Sequence, residues 1–379
     1  MKCLIRPMLW ALAAALSLAP VAQAQGTGEK PPDARFQGEA NVNEVLMDVL
    51  VTDAKGNVIV GLDKSDFVVR ENGKPVDLTG VTFYSNRRFL QASDALKKKG
   101  IDIDRVQENR YFILFFDDQK SANADVPGLL GQQLEAGRRT KEWVAKDLLP
   151  NDYVAVVSYD YKLKVHQDFT RDRTALVEAV SDAIQGKDSE TNWPSRIKQG
   201  KAADGPSLLA ALPQGNALRD KTATIYDGVR VLADASRGIT GRKNLILFTI
   251  GFGQINSFGQ YIPDPRYYPP MMQALNASNV AVYTIDLVRP GTEHTLSNAM
   301  NQLSEETGGQ YLFNFTNFLT PLNRVEKENN GYYLLSYQAT HPGEKAGFQK
   351  VEVKTANPEF KVRVRQGYKY GVPESAKSR

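Results

Sequence analysis

The chain has 379 residues, 42% of them hydrophobic and 24% charged, with 29 Gly and 19 Pro. That length predicts about two domains, and the composition excludes a collagenous, a mainly disordered or a multi-spanning membrane protein. The formal net charge is +4, from 47 basic and 43 acidic residues. That balance excludes an electrostatic nucleic-acid binder, in which basic residues cluster in excess.

The chain opens with a short positive segment carrying Lys2 and Arg6. An apolar run follows from Met8 to about Ala19, and then a small-x-small site, Ala22-Gln23-Ala24. These parts in this order predict a secretory signal peptide over residues 1–24. The apolar run is too short for a stable span, so no stable membrane span is expected after cleavage. Cys3 is the single cysteine and falls inside that segment. The exported chain is therefore expected to carry no thiolate chemistry, no disulfide and no Cys-based zinc site. Residues 25–35, rich in Gly and Pro, predict a disordered leader.

Residues 36–86 read as short strands at turn spacing, the first part of a β-sandwich. Val45, Met47, Val49 and Val51 alternate. A turn at Asp53–Asn57 leads to a strand at Val58-Ile59-Val60. Phe67–Arg70 is a further strand, and Asn72-Gly73 is a strong hairpin signal. Val81–Tyr84 closes the set. Residues 87–109 are polar and read as a linker.

From residue 110 to 330 the texture changes to alternating strands and helices. Tyr111–Phe116 is apolar without alternation, as expected of a strand buried on both faces. Strands follow at Tyr153–Tyr159, Leu163–Val165, Asn244–Ile250, Val280–Ile285 and Tyr311–Phe313. The intervening helices are a stretch ending near Pro150, Thr174–Ile184, Ile225–Ser236, Met271–Ala277, Leu296–Glu306 and Leu319–Glu328. This alternation predicts an α/β domain with a doubly wound, mostly parallel, Rossmann-like sheet. Residues 331–372 return to β structure, with strands at Tyr332–Tyr337, Phe348–Lys354 and Lys361–Arg365. The two β segments are each too small to bury a core alone. They are expected to pair, so that the α/β domain is inserted into one β-sandwich built from both ends of the chain.

The functional edge of an open α/β sheet lies at the carboxyl ends of its strands. There the chain reads Asp117-Asp118-Gln119-Lys120-Ser121. Further along come Asn151-Asp152-Tyr153, Phe169-Thr170-Arg171-Asp172-Arg173, Ile225-Tyr226-Asp227-Gly228 and Glu305-Glu306-Thr307-Gly308-Gly309. Together these segments resemble the von Willebrand factor type A domain. The β flanks, with Leu62–Phe67 and Arg365-Gln366-Gly367-Tyr368, resemble the VWFA-related secreted proteins described from Acidobacteria. The resemblance implies a divalent-cation site built on an Asp-x-Ser-x-Ser motif, a threonine and a second aspartate. Asp117 and Ser121 fit that motif, but Gln119 stands at its middle serine. Ala223 stands at the threonine, flanked by Thr222 and Thr224, and Ile250 stands at the second aspartate. A hard cation such as Mg²⁺ needs about six oxygens, so the expectation is a degenerate site at Asp117, Ser121, Thr222 and Thr224, with no cofactor, Mg or Mn being the ion it would take.

Catalytic signals are poor. His166, His294 and His341 show no metal-ligand spacing, and position 119 lacks the second carboxylate of an Asp-x-Asp phosphotransfer loop. The richer signal is the loop Phe258–Pro270, which holds Tyr261, Arg266, Tyr267 and Tyr268 among several prolines. Prolines lower the entropy cost of a fixed loop shape, and Tyr and Arg are enriched at interface hot spots. These four residues are the candidate partner-binding set. The expectation is thus a non-enzymatic, exported binding module, periplasmic or extracellular, for a protein partner, with a polysaccharide second. The alternatives are a cation-dependent adhesion domain and a hydrolase with an unrecognised site.

Overall fold

The computed structural model describes residues 44–85, 109–117, 126–186, 205–213, 215–292, 295–340 and 347–370. The expected signal peptide and leader lie outside them, as do nearly all of the expected linker, residues 118–125 and His294 and His341.

The central sheet has six strands: β5 (Arg110–Asp117), β6 (Asp152–Tyr159), β7 (Leu163–Thr170), β8 (Lys243–Thr249), β11 (Val280–Asp286) and β12 (Gln310–Leu312). Their order is β12-β11-β8-β5-β6-β7. All neighbours are parallel except β7, which returns antiparallel beside β6 at the edge. Counted within the domain, this is the doubly wound order 3-2-1-4-5-6. Every residue of β5, β6, β8 and β11 is buried. Successive side chains go to opposite faces. Ile113 and Phe115 therefore join one apolar cluster, while Phe112, Leu114 and Phe116 join the other.

The first cluster is covered by α4 (Ile225–Ala235), α5 (Tyr268–Ala277) and Leu303 of α6 (Ser297–Thr307). The second is covered by α1 (Val126–Lys146), α2 (Arg173–Ile184) and α7 (Leu319–Glu328). The short α3 (Asn216–Lys221) precedes α4. Caps set the helix ends. Asp172 accepts from the amides of Thr174 and Ala175 to start α2. Gly308, at φ 76°, ends α6 in the left-handed conformation. Gly309 follows because a Cβ there would lie 1.9 Å from the Val282 carbonyl oxygen.

The two ends of the chain build two four-stranded sheets. One has the order β15-β1-β13-β4, from β15 (Lys361–Arg363), β1 (Glu44–Thr52), β13 (Gly331–Gln338) and β4 (Leu78–Ser85). The other is β16-β14-β2-β3, from β16 (Gly367–Tyr370), β14 (Gly347–Thr355), β2 (Phe67–Glu71) and β3 (Lys74–Val76). Each sheet mixes strands from both ends of the chain, as in the β1–β13 and β2–β14 pairings. Val45, Met47, Val49, Val51, Phe67, Val69, Tyr333, Leu335, Tyr337, Val351 and Val353 all contribute to one apolar cluster. The β2–β3 turn is Asn72-Gly73, both at positive φ, as the hairpin signal requires. Val58–Val60, read as a strand, contributes a single bridge, Val58 to Thr52.

The last stretch of chain fastens the sheets to the α/β part. Arg365 donates to the carbonyls of Asn276 (2.8 Å) and Leu46 (2.7 Å). Arg363 pairs with Glu328, which is fully buried and also takes Arg324 at 3.1 Å.

Candidate functional site

A groove of about 310 Å³ opens at the carboxyl edge of the central sheet. Its walls come from three places that the parallel topology brings together. Tyr159 ends β6 and Tyr161 follows it, Phe252, Gly253 and Gln254 follow β8, and Thr224, Ile225 and Tyr226 start α4. Asp264 and Tyr267 close the remaining side.

The groove is aromatic. Tyr226 meets Phe252 edge-on at 4.9 Å between centroids, and stacks near-parallel with Tyr267 at 6.1 Å. Tyr161 stands 78% exposed on the β6–β7 turn, at φ 61°. Gly253, at φ 144°, permits the close approach of Tyr261, whose ring would lie 2.3 Å from a Cβ there. The Tyr226 hydroxyl is buried and makes no well-aligned hydrogen bond. The Tyr261 hydroxyl lies beside it and acts on its ionisation as a hydrogen-bonding neighbour, in the lowering direction. Burial, then the charge of Asp264, push the Tyr226 phenol up to about 12. Burial raises Tyr159 as well, and the carboxylates of Asp117, Asp227 and Asp160 add to it. The phenols are therefore protonated at neutral pH.

Beside the groove the chain forms a small hairpin of β9 (Gln254–Ile255) and β10 (Tyr261–Ile262). Asn256 holds its tip, accepting from the amides of Phe258 and Gln260 at 2.9 Å each. The hairpin presents apolar side chains outward: Phe258 is 86% exposed and Ile255 51%.

The four residues expected to bind a partner divide. Arg266 is exposed, held by Asp264, with its guanidinium 5.1 Å from the centroid of the Tyr267 ring. Tyr267 and Tyr261 are half-buried at the groove. Tyr268 is not a surface anchor: it begins α5, is buried, and donates to Glu306 at 2.8 Å. Its place follows from Pro269 and Pro270, which the first turn of a helix tolerates.

Among solved structures, the chain is similar to an aerotolerance-related membrane protein from Bacteroides fragilis, at 14% identity over 58% of this chain and 99% of that one, with a TM-score of 0.36. It is similar to proximal thread matrix protein 1 of the mussel byssus, solved with a zinc-occupied MIDAS motif, at 14% identity over 57% and 47% of the two chains (TM-score 0.35). It is also similar to the ArnB paralog VWA2 from Sulfolobus acidocaldarius, at 11% identity over 88% and 77% (TM-score 0.33). No protein-family model and no curated protein matches the sequence. The strand order decides the fold. The α/β part is a doubly wound, mostly parallel α/β domain.

Of the residues expected at the cation site, Asp117, Thr222 and Thr224 are described. Asp117 ends β5 as expected, buried, and accepts from the Thr249 hydroxyl at 2.6 Å. Thr222 is turned inward: it donates to the Leu218 carbonyl (2.7 Å) and accepts from the Leu163 amide (3.3 Å). Thr224 caps α4, accepting from the Asp227 amide (3.1 Å) and donating to its carboxylate (2.8 Å). Ile250 packs against the apolar cluster at the position of the lost carboxylate. Among the described residues, no group of three or more His, Cys, Asp or Glu could hold a metal ion. Ser121 and Gln119 lie outside the described residues.

Among the described residues, Ser158 and His166 form a hydroxyl–imidazole pair, 2.8 Å apart across β6 and β7. Neither lines the groove. Among the described residues no helix is long and apolar enough to cross a membrane.

Proposed function

We propose that the protein is an exported, non-enzymatic binding module, acting in the cell envelope or outside it. Its ligand face is the carboxyl edge of the type A-like sheet, and it works without a bound divalent ion. A protein is the first partner class and a polysaccharide the second. The observation that carries this reading is the aromatic groove next to a hairpin with an exposed Phe258. Exposed apolar surface gathered at one place marks an interaction site. The hydroxyls of Thr222 and Thr224, spent on backbone and cap, support independence from an ion. We read the two terminal sheets as one β-sandwich over residues 36–86 and 331–372, a base into which the type A-like domain is inserted. That base would hold the ligand face away from the points where the chain enters and leaves.

Titration of Mg²⁺ and Mn²⁺ tests the ion-free reading. An ion binding the folded state tightly raises the melting temperature by several degrees once well above its Kd. The expected shift between EDTA and millimolar ion is under about one degree. A larger shift that vanishes in Asp117→Ala overturns the reading in favour of a cation-dependent adhesion domain.

A further inference from the structure

We propose that the groove receives one basic side chain, Lys or Arg, of a partner protein, with its cationic head against the rings of Tyr226, Phe252 and Tyr267. The inference rests on the carboxyl edge being the ligand face, and names the chemistry that the face takes.

Size comes first. Pockets for drug-sized ligands run from about 300 to 1,000 Å³. At about 310 Å³ the groove stands at the bottom of that range and matches a single side chain. The walls come next. The face of an aromatic ring carries negative potential and attracts cations, guanidinium above all. Arg266 already lies over Tyr267 at the rim, so this surface holds a guanidinium within the molecule itself.

Charge narrows the choice further. Asp264 lines the groove, Asp227 is bonded to the lining residue Thr224, and Asp117 and Asp160 act with Asp227 on Tyr159. An acidic side chain entering here would meet the Asp264 carboxylate in the wall, with three more behind the lining residues, whereas a basic one is drawn in. Arg266, Arg230 and Lys164 answer Asp264, Asp227 and Asp160, so the attraction is a moderate one shared with the rings. An apolar occupant would fill the space but leave the buried Tyr226 hydroxyl with the neighbouring Tyr261 hydroxyl as the donor it faces, and a second acceptor site unused. An ammonium or guanidinium N–H fills that site.

The test uses the full exported chain and four probes: the N-acetyl amides of arginine, lysine, leucine and glutamate. Each is titrated while the backbone amide signals of Gly253, Thr224 and Tyr226 are followed by NMR. The arginine and lysine amides are expected to move these signals and to bind about tenfold more tightly than the leucine amide, as stacking plus desolvated charge allows. Tyr226→Phe, which removes one oxygen and leaves the ring, should weaken the arginine amide by about threefold to tenfold with an unchanged melting temperature. Leucine amide binding at the groove as tightly as arginine amide overturns the inference while leaving the ligand face in place. Silence of all four probes, or arginine binding indifferent to Tyr226→Phe and Tyr267→Ala, overturns it too. The ligand face itself is decided apart from these probes, by capture of the native partner with Phe258→Ser.

Discussion

The two ends of the central sheet are built from the same strands and treat their polar atoms in opposite ways. At the amino end, Arg110 opens β5 and Asp152 opens β6, and the guanidinium meets the carboxylate through two bonds of 2.6 Å. The same arginine reaches the Glu326 carbonyl and Asn330 Oδ1 at 3.0 Å each. Lys243 is buried and donates to the carbonyls of Ile239 (2.7 Å) and Gly241 (2.9 Å). The space left there is about 30 Å³, room for a water. At the carboxyl end a groove some ten times larger is walled by rings, and a hairpin holds Phe258 in solvent. One end uses its charges to close the domain, and the other leaves apolar surface exposed. The difference teaches where substitutions should cost stability and where they should cost binding.

The largest effect is expected at the closed end. Asp152→Ala takes the two-bond carboxylate from buried Arg110 and leaves it Glu326 at 3.3 Å, and losing one partner of a buried pair costs about 3–5 kcal/mol. Denaturant unfolding checks this, and a loss under about 1 kcal/mol would break the distinction between the ends. The next effect falls on the groove's frame. Thr224→Ala removes the cap of α4 and should cost about 1 kcal/mol, with no change in response to Mg²⁺. A Thr224→Ala variant that loses an ion-dependent thermal shift would instead return Thr224 to the role of ligand.

Acid should reveal that closure continues into the terminal sheets. Burial pushes the Glu71 carboxyl up, but hydroxyl bonds from Thr340, Tyr368 and Tyr337 outweigh it and leave the group below its ordinary value of 4.5. A depressed folded-state pKa gives stability that is present above the unfolded value and lost as pH falls through the folded one. Tyr368→Phe, which deletes a 2.8 Å bond to Glu71, should cost about 1 kcal/mol at pH 7. That cost should shrink below about pH 4.5 as Glu71 takes up its proton. Urea unfolding across pH checks it, and a cost that grows toward acid would contradict the assignment. The smallest effect on stability belongs to the open end, where Phe258→Ser should stay within about 0.5 kcal/mol of wild type.

Much of the frame was legible in the sequence, because burial on both faces leaves an unbroken apolar run. Tyr111–Phe116 is such a run, and the structure places it in β5, one of the two central strands of the sheet. Leu319–Glu328 coincides with α7, since its apolar spacing is helical from end to end. Asn72-Gly73 showed its turn directly. Other parts could not be read. Tyr268 looked like a loop residue because Pro269 and Pro270 resemble a break, although they stand in the first turn of α5. The β9–β10 hairpin has two residues per strand, too few for any periodicity. Asp117 could be located because a strand ends there. The walls Tyr159, Tyr161, Tyr226 and Phe252 could not, being scattered through the sequence and adjacent solely through parallel pairing. An aromatic after each of two parallel strands was the one signal available.

Capture of the native partner from a cell-envelope extract tests the central claim most directly. Wild type, Asp117→Ala and the double variant Tyr267→Ala with Phe258→Ser are compared, each with and without EDTA. The account predicts that EDTA and Asp117→Ala leave capture unchanged, and that the double variant loses it by about tenfold or more while remaining folded. Capture that survives loss of both rings, yet disappears with EDTA and in Asp117→Ala, would contradict it.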